Sequence, residues 1–133
     1  MTGLDVLRRC SWYKKDMERL KLRLDCVRDA ALRVTRSADA TGHGGQTDKM
    51  GDYAAKVEEI EREMQRRREQ YARDVGTAAR LIERLDPVQG SVLYMRMVQG
   101  KSVQQICAQL YYGESTVKKL LREGRAELET IVL

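Results

Sequence analysis

The sequence predicts an all-α protein, a long antiparallel helical hairpin (a coiled-coil arm) followed by three short helices. Three observations carry that reading. Apolar residues recur every three or four positions through two long stretches, the spacing of one helix face. Pro87 is the only proline in 133 residues, so little interrupts helix before it. Charged residues make up 34% of the chain and hydrophobic residues 42%, with only 5% aromatic. That balance is too charged for a large globular core and too apolar for disorder, and it suits long helices with narrow apolar seams.

The first helix is expected from Leu4 to about Val34. Cys10, Tyr13, Met17, Leu20, Leu24, Val27, Ala31 and Val34 step by three and four, a heptad seam for a partner helix. At 1.5 Å per residue such a helix is about 45 Å long. Residues 37–48 contain three glycines and no large apolar side chain, so a loop is expected there. A second helix follows, from Lys49 to Leu85. Its seam is Tyr53, Val57, Ile60, Met64, Tyr71, Ala78, Leu81 and Leu85, interrupted by Arg67 and Asp74. Two matched seams across a Gly-rich break imply antiparallel packing.

Near residue 86 the pattern changes. Asp86 suits an N-cap and Pro87 the first helical position, so a new helix starts there and runs from Val88 to Val98. Gly100 is placed to end it with a left-handed cap. Ser102 caps a short helix from Val103 to Leu110. A turn at 111–113 leads into a last helix from Glu114 to about Ile131. The expected division is therefore 1–85 for the hairpin and 86–133 for the short-helix module. Within that module Val103, Ile106, Cys107 and Leu110 form one inner face, and Val117, Leu120, Leu121 and Leu128 the other, with Tyr112 filling the turn. Ile106 and Val117 lie eleven residues apart, the span of half a helix, a tight turn and the start of the next helix. This is the pattern of a helix-turn-helix.

The run Leu85-Asp-Pro-Val-Gln-Gly-Ser-Val-Leu-Tyr-Met-Arg-Met-Val-Gln-Gly-Lys-Ser-Val-Gln-Gln-Ile-Cys-Ala-Gln-Leu110 resembles the start of sigma-factor region 4. Tyr-Tyr-Gly-Glu-Ser-Thr-Val-Lys-Lys-Leu-Leu-Arg, ending at Arg122, resembles its recognition helix. The likeness covers roughly residues 85–130. With a long helical segment and a Gly-rich break in front, the whole is similar to small phage regulators of the ArpU and RinA type, which are implicated in switching on late phage genes. Three positions depart from the pattern: Cys107 and Gly124 stand where Ala is usual, and Tyr111 where Gly is frequent.

The resemblance implies a sequence-specific transcription regulator on double-stranded DNA. Glu114, Ser115, Thr116, Lys118, Lys119 and Arg122 project from the recognition helix away from Val117 and Leu121. Hydroxyls and a carboxylate can read base edges, while Lys and Arg contact phosphate or guanine. Arg96, Lys101 and Arg125 are secondary phosphate candidates.

Charge alone does not decide the partner. The net charge is +5 and the pI about 9.2, a mild lean toward polyanions. Residues 1–36 hold ten basic against five acidic side chains, while residues 86–133 hold six against five. The near-neutral C-terminal third keeps a second reading open. There the protein docks on RNA polymerase or another protein through its helical arm, as an inhibitor or adaptor. Leu7, Trp12, Leu22 and Ile82, expected exposed beside the seam, point to self-association as a two-fold dimer through the arm.

No enzyme chemistry is indicated. His43 is the only histidine, sits in the Gly-rich loop, and has no partner at metal-ligand spacing. Gly42-His-Gly-Gly45 follows no strand, so it is not a phosphate loop. Glu58 and Glu59 read as solvated charge; the Arg66-Arg67-Arg68 run reads as a solvated face, with phosphate contact as its functional alternative. Cys10, Cys26 and Cys107 are odd in number and lack CxxC spacing, so small buried or half-buried thiols are expected, with neither disulfide nor zinc. Neither cofactor nor metal is called for. No apolar run approaches the roughly 20 residues that cross a bilayer, and the first residues form no signal peptide. The expectation is a cytoplasmic protein with no membrane partner.

Overall fold

A computed structural model describes residues 1–41 and 46–133, with side-chain surroundings for 1–36 and 50–133. The fold is all-α, with long N-terminal helices and a C-terminal module of short ones. The helices are α1 (Gly3–Thr41), α2 (Gln46–Ile82), α3 (Pro87–Leu93), α4 (Val103–Leu110) and α5 (Glu114–Glu129), with a π-helical turn at Tyr94–Val98. Among the described residues the only β pairing is one antiparallel bridge, Thr2 with Val132. No described helix is long and apolar enough to cross a membrane.

The chain divides into two compact units, Lys14–Glu69 and Met1–Tyr13 with Gln70–Leu133. The first is a two-helix arm. Met17, Leu20, Leu24, Ile60 and Met64 are its buried seam residues, and Val27, Ala31, Val34, Tyr53 and Val57 are half-buried beside them. Arg28 Nη2 reaches Glu61 Oε1 at 3.0 Å and Arg67 Nη1 reaches Asp16 Oδ2 at 2.9 Å, so numbers rise along α1 as they fall along α2. Arg67, which interrupts the apolar seam, is thus paired across it.

The second unit holds the larger core. Leu4, Val6, Leu7 and Cys10 from the start of α1 cluster with Ala78, Leu81 and Leu85, and with Val92, Leu93, Ile106, Val117, Leu121 and Leu128. Asp74, the other seam interruption, is buried; it accepts from Arg9 Nη2 at 2.6 Å and from Gln70 Nε2 at 2.9 Å. Tyr13 and Tyr71 stack beside this pair with ring centroids 4.0 Å apart. The chain ends are tied into the same unit: Gly3 N donates to Ile131 O at 2.8 Å and Leu133 N to Met1 O at 2.9 Å. Thr2 and Asp5 exchange hydrogen bonds at the start of α1, Thr2 N to Asp5 Oδ2 at 2.8 Å and Asp5 N to Thr2 Oγ1 at 3.3 Å. This is a reciprocal cap, and Thr2 N, with the Thr2 hydroxyl that also donates to Asp5 Oδ2 at 3.1 Å, holds the Asp5 carboxyl below its ordinary range.

Several expectations need correction. The loop expected at 37–48 is helical through Thr41 and again from Gln46; His43 lies outside the described residues. The run of small residues there carries no helix breaker before Gly42, so α1 continues. Leu7, expected exposed, is fully buried, and Ile82 is half-buried against the core, whereas Trp12 and Leu22 are exposed. Leu7 falls outside the heptad seam because it faces the short helices and not α2 alone. Cys26 is exposed, while Cys10 is buried and Cys107 half-buried. α2 ends at Ile82, earlier than Leu85, because the chain turns at 83–85 before the Asp86 cap.

Candidate nucleic-acid interface

The interface is built outward from α3. Asp86 caps it, accepting from Val88 N at 3.3 Å, with Pro87 in its first turn. The helix expected to continue to Val98 changes character after Leu93. Gln99 N donates to Tyr94 O at 3.1 Å and Lys101 N to Met95 O at 3.0 Å, so the last turn is widened into a π-helix. Gly100 then takes φ +71°, the left-handed end expected of it. Arg96 braces this exit, its Nη1 donating to Lys101 O at 3.2 Å, and Lys101 Nζ reaches Gln109 Oε1 at 2.6 Å.

α4 begins with a full capping box. Ser102 Oγ accepts from Gln105 N at 3.2 Å, and Gln105 Oε1 accepts from Ser102 N at 2.9 Å. Two otherwise orphaned donors are satisfied reciprocally, which fixes where the helix starts. Ile106 is its fully buried residue; Val103, Cys107 and Leu110 pack half-buried around the same core. The helix ends on Tyr111 with φ 60° and ψ 35°. This left-handed conformation is costly for a residue with a Cβ, by about 1–2 kcal/mol. Tyr112, expected to fill the turn, is 39% exposed and so mostly covered, whereas Tyr111 is 93% exposed and its ring does not support the turn by packing. Gly113, in extended conformation, leads into α5.

α5 buries Val117, Leu121, Gly124 and Leu128, steps of four, three and four that make one stripe. The stripe lies against α3. A Cβ on Gly124 would stand 2.4 Å from Leu93 Cδ1 and 3.1 Å from Gln89 Cγ. Glycine is therefore present because the two helices cross too closely for the usual Ala. Gln89, buried at the same crossing, faces Gly124 N with its amide oxygen and Glu127 Oε2 with its nitrogen, each at 3.3 Å. On α3 itself, a Cβ on Gly90 would meet Ile82 Cγ2 at 2.8 Å, a second close approach.

With that stripe inward, Glu114, Ser115, Thr116, Lys118, Lys119 and Arg122 are all exposed. They occupy the first half of α5. Lys118 Nζ lies 2.7 Å from Glu114 Oε1. That bond lowers the Glu114 carboxyl and raises the Lys118 ammonium relative to their ordinary values. Both groups are fully exposed, so salt screens the pair. Among the described residues Lys119 and Arg122 have no carboxylate within ion-pairing distance. Arg125 is half-buried farther along α5, and Arg96 and Lys101 are half-buried at the connection into α4. The two latter side chains bond within the module, contacts that residue spacing alone does not reveal. The residues that the sequence reading overlooked are supporting ones: Gln89, Gln105, and Leu7 with its neighbours. Ser-x-x-Gln at 102–105 and Thr-x-x-Asp at 2–5 were legible signals for the two caps.

Residues 77–128, less than half of the chain, match the family model of sigma-70, region 4. No curated protein and no solved structure matches the chain. The matched segment starts within α2, nine residues before Asp86, and takes in the buried Ala78 and Leu81. The C-terminal module is a sigma region 4-like helix-turn-helix, with α4 as its first helix and α5 in the place of the recognition helix.

Proposed function

We propose that the protein is a sequence-specific regulator of transcription that reads double-stranded DNA with α5. The observation that carries this is the division of α5 within a sigma region 4-like module. Val117, Leu121, Gly124 and Leu128 are buried, and Ser115, Thr116, Lys119 and Arg122 stand exposed on the other side. In this reading Ser115 and Thr116 meet base edges in the major groove, while Lys119 and Arg122 meet phosphates. Lys118 is shared with Glu114, and Arg96 and Lys101 bond within the module. These three, with Arg125, are second-rank contacts.

The finer reading is a phage or prophage regulator of a late or packaging-type promoter. Its support is the likeness of a long helical segment followed by this module to the ArpU and RinA type. Exposed Leu22 on the arm supports a homodimer through it, whereas exposed Trp12 belongs to the other unit, and light scattering at tens of micromolar protein tests the dimer. RNA polymerase is the competing partner, favoured by the near-neutral charge of residues 86–133, six basic side chains against five acidic.

The test is selection of a sequence from fragments of the protein's own genome, followed by titration in rising salt. Affinity should fall steeply as salt rises, because bound phosphates release counterions. Lys119→Ala or Arg122→Ala should weaken all sequences alike and reduce the salt slope by about one. Ser115→Ala or Thr116→Ala should cost about 1–3 kcal/mol on the selected site and little elsewhere. DNA affinity unchanged when Lys118, Lys119 and Arg122 all become Ala would hand the function to the protein-docking reading.

A further inference from the structure

Two connections in the C-terminal module end on a left-handed residue, and they do so with opposite chemistry. The one after the π-helical turn uses Gly100 at φ +71°, the residue type that adopts this conformation without steric strain. The one after α4 uses Tyr111 at φ 60°. Among the described residues Tyr111 is the only non-glycine with positive φ. A strained residue is ordinarily held by the packing of its own side chain, yet Tyr111 is 93% exposed, more than any other large apolar side chain in the described residues. Its ring buries almost nothing, and among the described residues its hydroxyl neither accepts nor donates a hydrogen bond. Folding alone would be better served by glycine, as at Gly100. Strain that the fold does not need marks a side chain used elsewhere.

Position and chemistry indicate where. Tyr111 lies four residues before Ser115, within about 15 Å of it even with the chain fully extended. It is the residue on which α4 ends, three positions before α5 begins at Glu114. A tyrosine offers a flat apolar ring and one hydroxyl donor, which suits a deoxyribose and a phosphate oxygen better than a base edge. We propose that Tyr111 is a contact to the DNA backbone beside the groove that α5 enters, retained at the expense of stability. This rests on the reading of α5 as the DNA-reading helix and adds to it a residue outside that helix.

The experiment uses the full chain with Tyr111→Gly, Tyr111→Asn and Tyr111→Phe, read by thermal melting and by binding to the selected DNA fragment and to an unrelated one. Gly, and to a lesser degree Asn, accept a left-handed backbone, so both variants should melt a few degrees higher. Both should bind the two DNAs several-fold more weakly, by a similar factor, since a backbone contact carries no sequence. Tyr111→Phe should melt as the parent does and lose part of the affinity, which isolates the hydroxyl. Lys119→Ala and Arg122→Ala run alongside. Weakened binding in those two with parental affinity in Tyr111→Gly overturns the Tyr111 contact and leaves α5 as the reader. Parental affinity in all five variants overturns both. A Tyr111→Gly chain that melts lower than the parent overturns the argument that the fold gains nothing from this tyrosine.

Discussion

The unit that carries the helix-turn-helix and the arm at Lys14–Glu69 are made of the same α-helices and hold themselves together differently. In the former, Leu7, Ala78, Val92, Leu93, Ile106, Val117 and Leu128 are completely shielded from solvent. Among the described residues of the arm none reaches that state: Met17, Leu20, Leu24, Ile60 and Met64 retain 4–8% exposure. Two helices can cover only one stripe of each other, whereas five helical segments close around a point. The ion pairs follow the same division. Asp74 sits 7% exposed against Arg9, while the arm's Arg67–Asp16 pair is 45% and 29% exposed. The latter contributes at most about 1 kcal/mol and is salt-sensitive. The lesson is that the beginning of α1 serves the C-terminal module. Leu4, Val6, Leu7 and Cys10 close its core although they lie more than sixty residues before the segment matched to sigma-70 region 4.

The largest expected effect tests that lesson directly. Leu7→Ala should destabilise by about 2–5 kcal/mol, as Leu93→Ala should, because each empties a fully buried site. Leu20→Ala in the arm should cost less, since neighbours and water can close over a seam position. Chemical denaturation of the three variants makes the comparison, and equal losses at Leu7 and Leu20 would break it.

Glycine substitution sharpens it at a smaller scale. Gly51 in the arm has open space where a Cβ would go, whereas Gly124 has Leu93 Cδ1 at 2.4 Å. Gly51→Ala should therefore stabilise by up to about 1 kcal/mol through helix propensity. Gly124→Ala should lose about 1–3 kcal/mol through overpacking despite the same propensity gain. Opposite signs in urea melts are the expected result.

The smallest effect concerns the thiols. Burial, with Asp74 nearby, pushes the Cys10 thiol up to about 11 from 9.0. Cys26 on the arm should react first with a thiol reagent at pH 8, Cys107 more slowly, and Cys10 only on unfolding. The sign of the pH effect follows from linkage. The folded thiol titrates above the unfolded one, so stability is intact below pH 9.0 and declines as the pH rises toward about 11. Cys10→Ala should remove that part of the alkaline decline. Early labelling of Cys10 in the native chain would contradict its closed environment.

Much of this architecture was written in residue order. The heptad steps from Cys10 to Val34 and from Tyr53 to Leu85 name faces that are buried in part and half-buried in the rest. Asp86, Gly100 and Ser102 mark helix ends that are capped in the structure, because a cap is a contact between residues two or three apart. The inner and outer faces of α5 were equally legible, since a 3.6-residue period fixes which side chains share a side. Contacts distant in sequence were not. That Leu7 is buried, that Gly124 is a crossing point with Leu93, and that Arg9 meets Asp74 depend on which helices lie side by side. Periodicity shows that a face will be covered and is silent on what covers it. The π-helical turn at Tyr94–Val98 and the left-handed Tyr111 belong to the same class. Each is a local backbone choice that propensity disfavours, held in place by helices packed on either side of it.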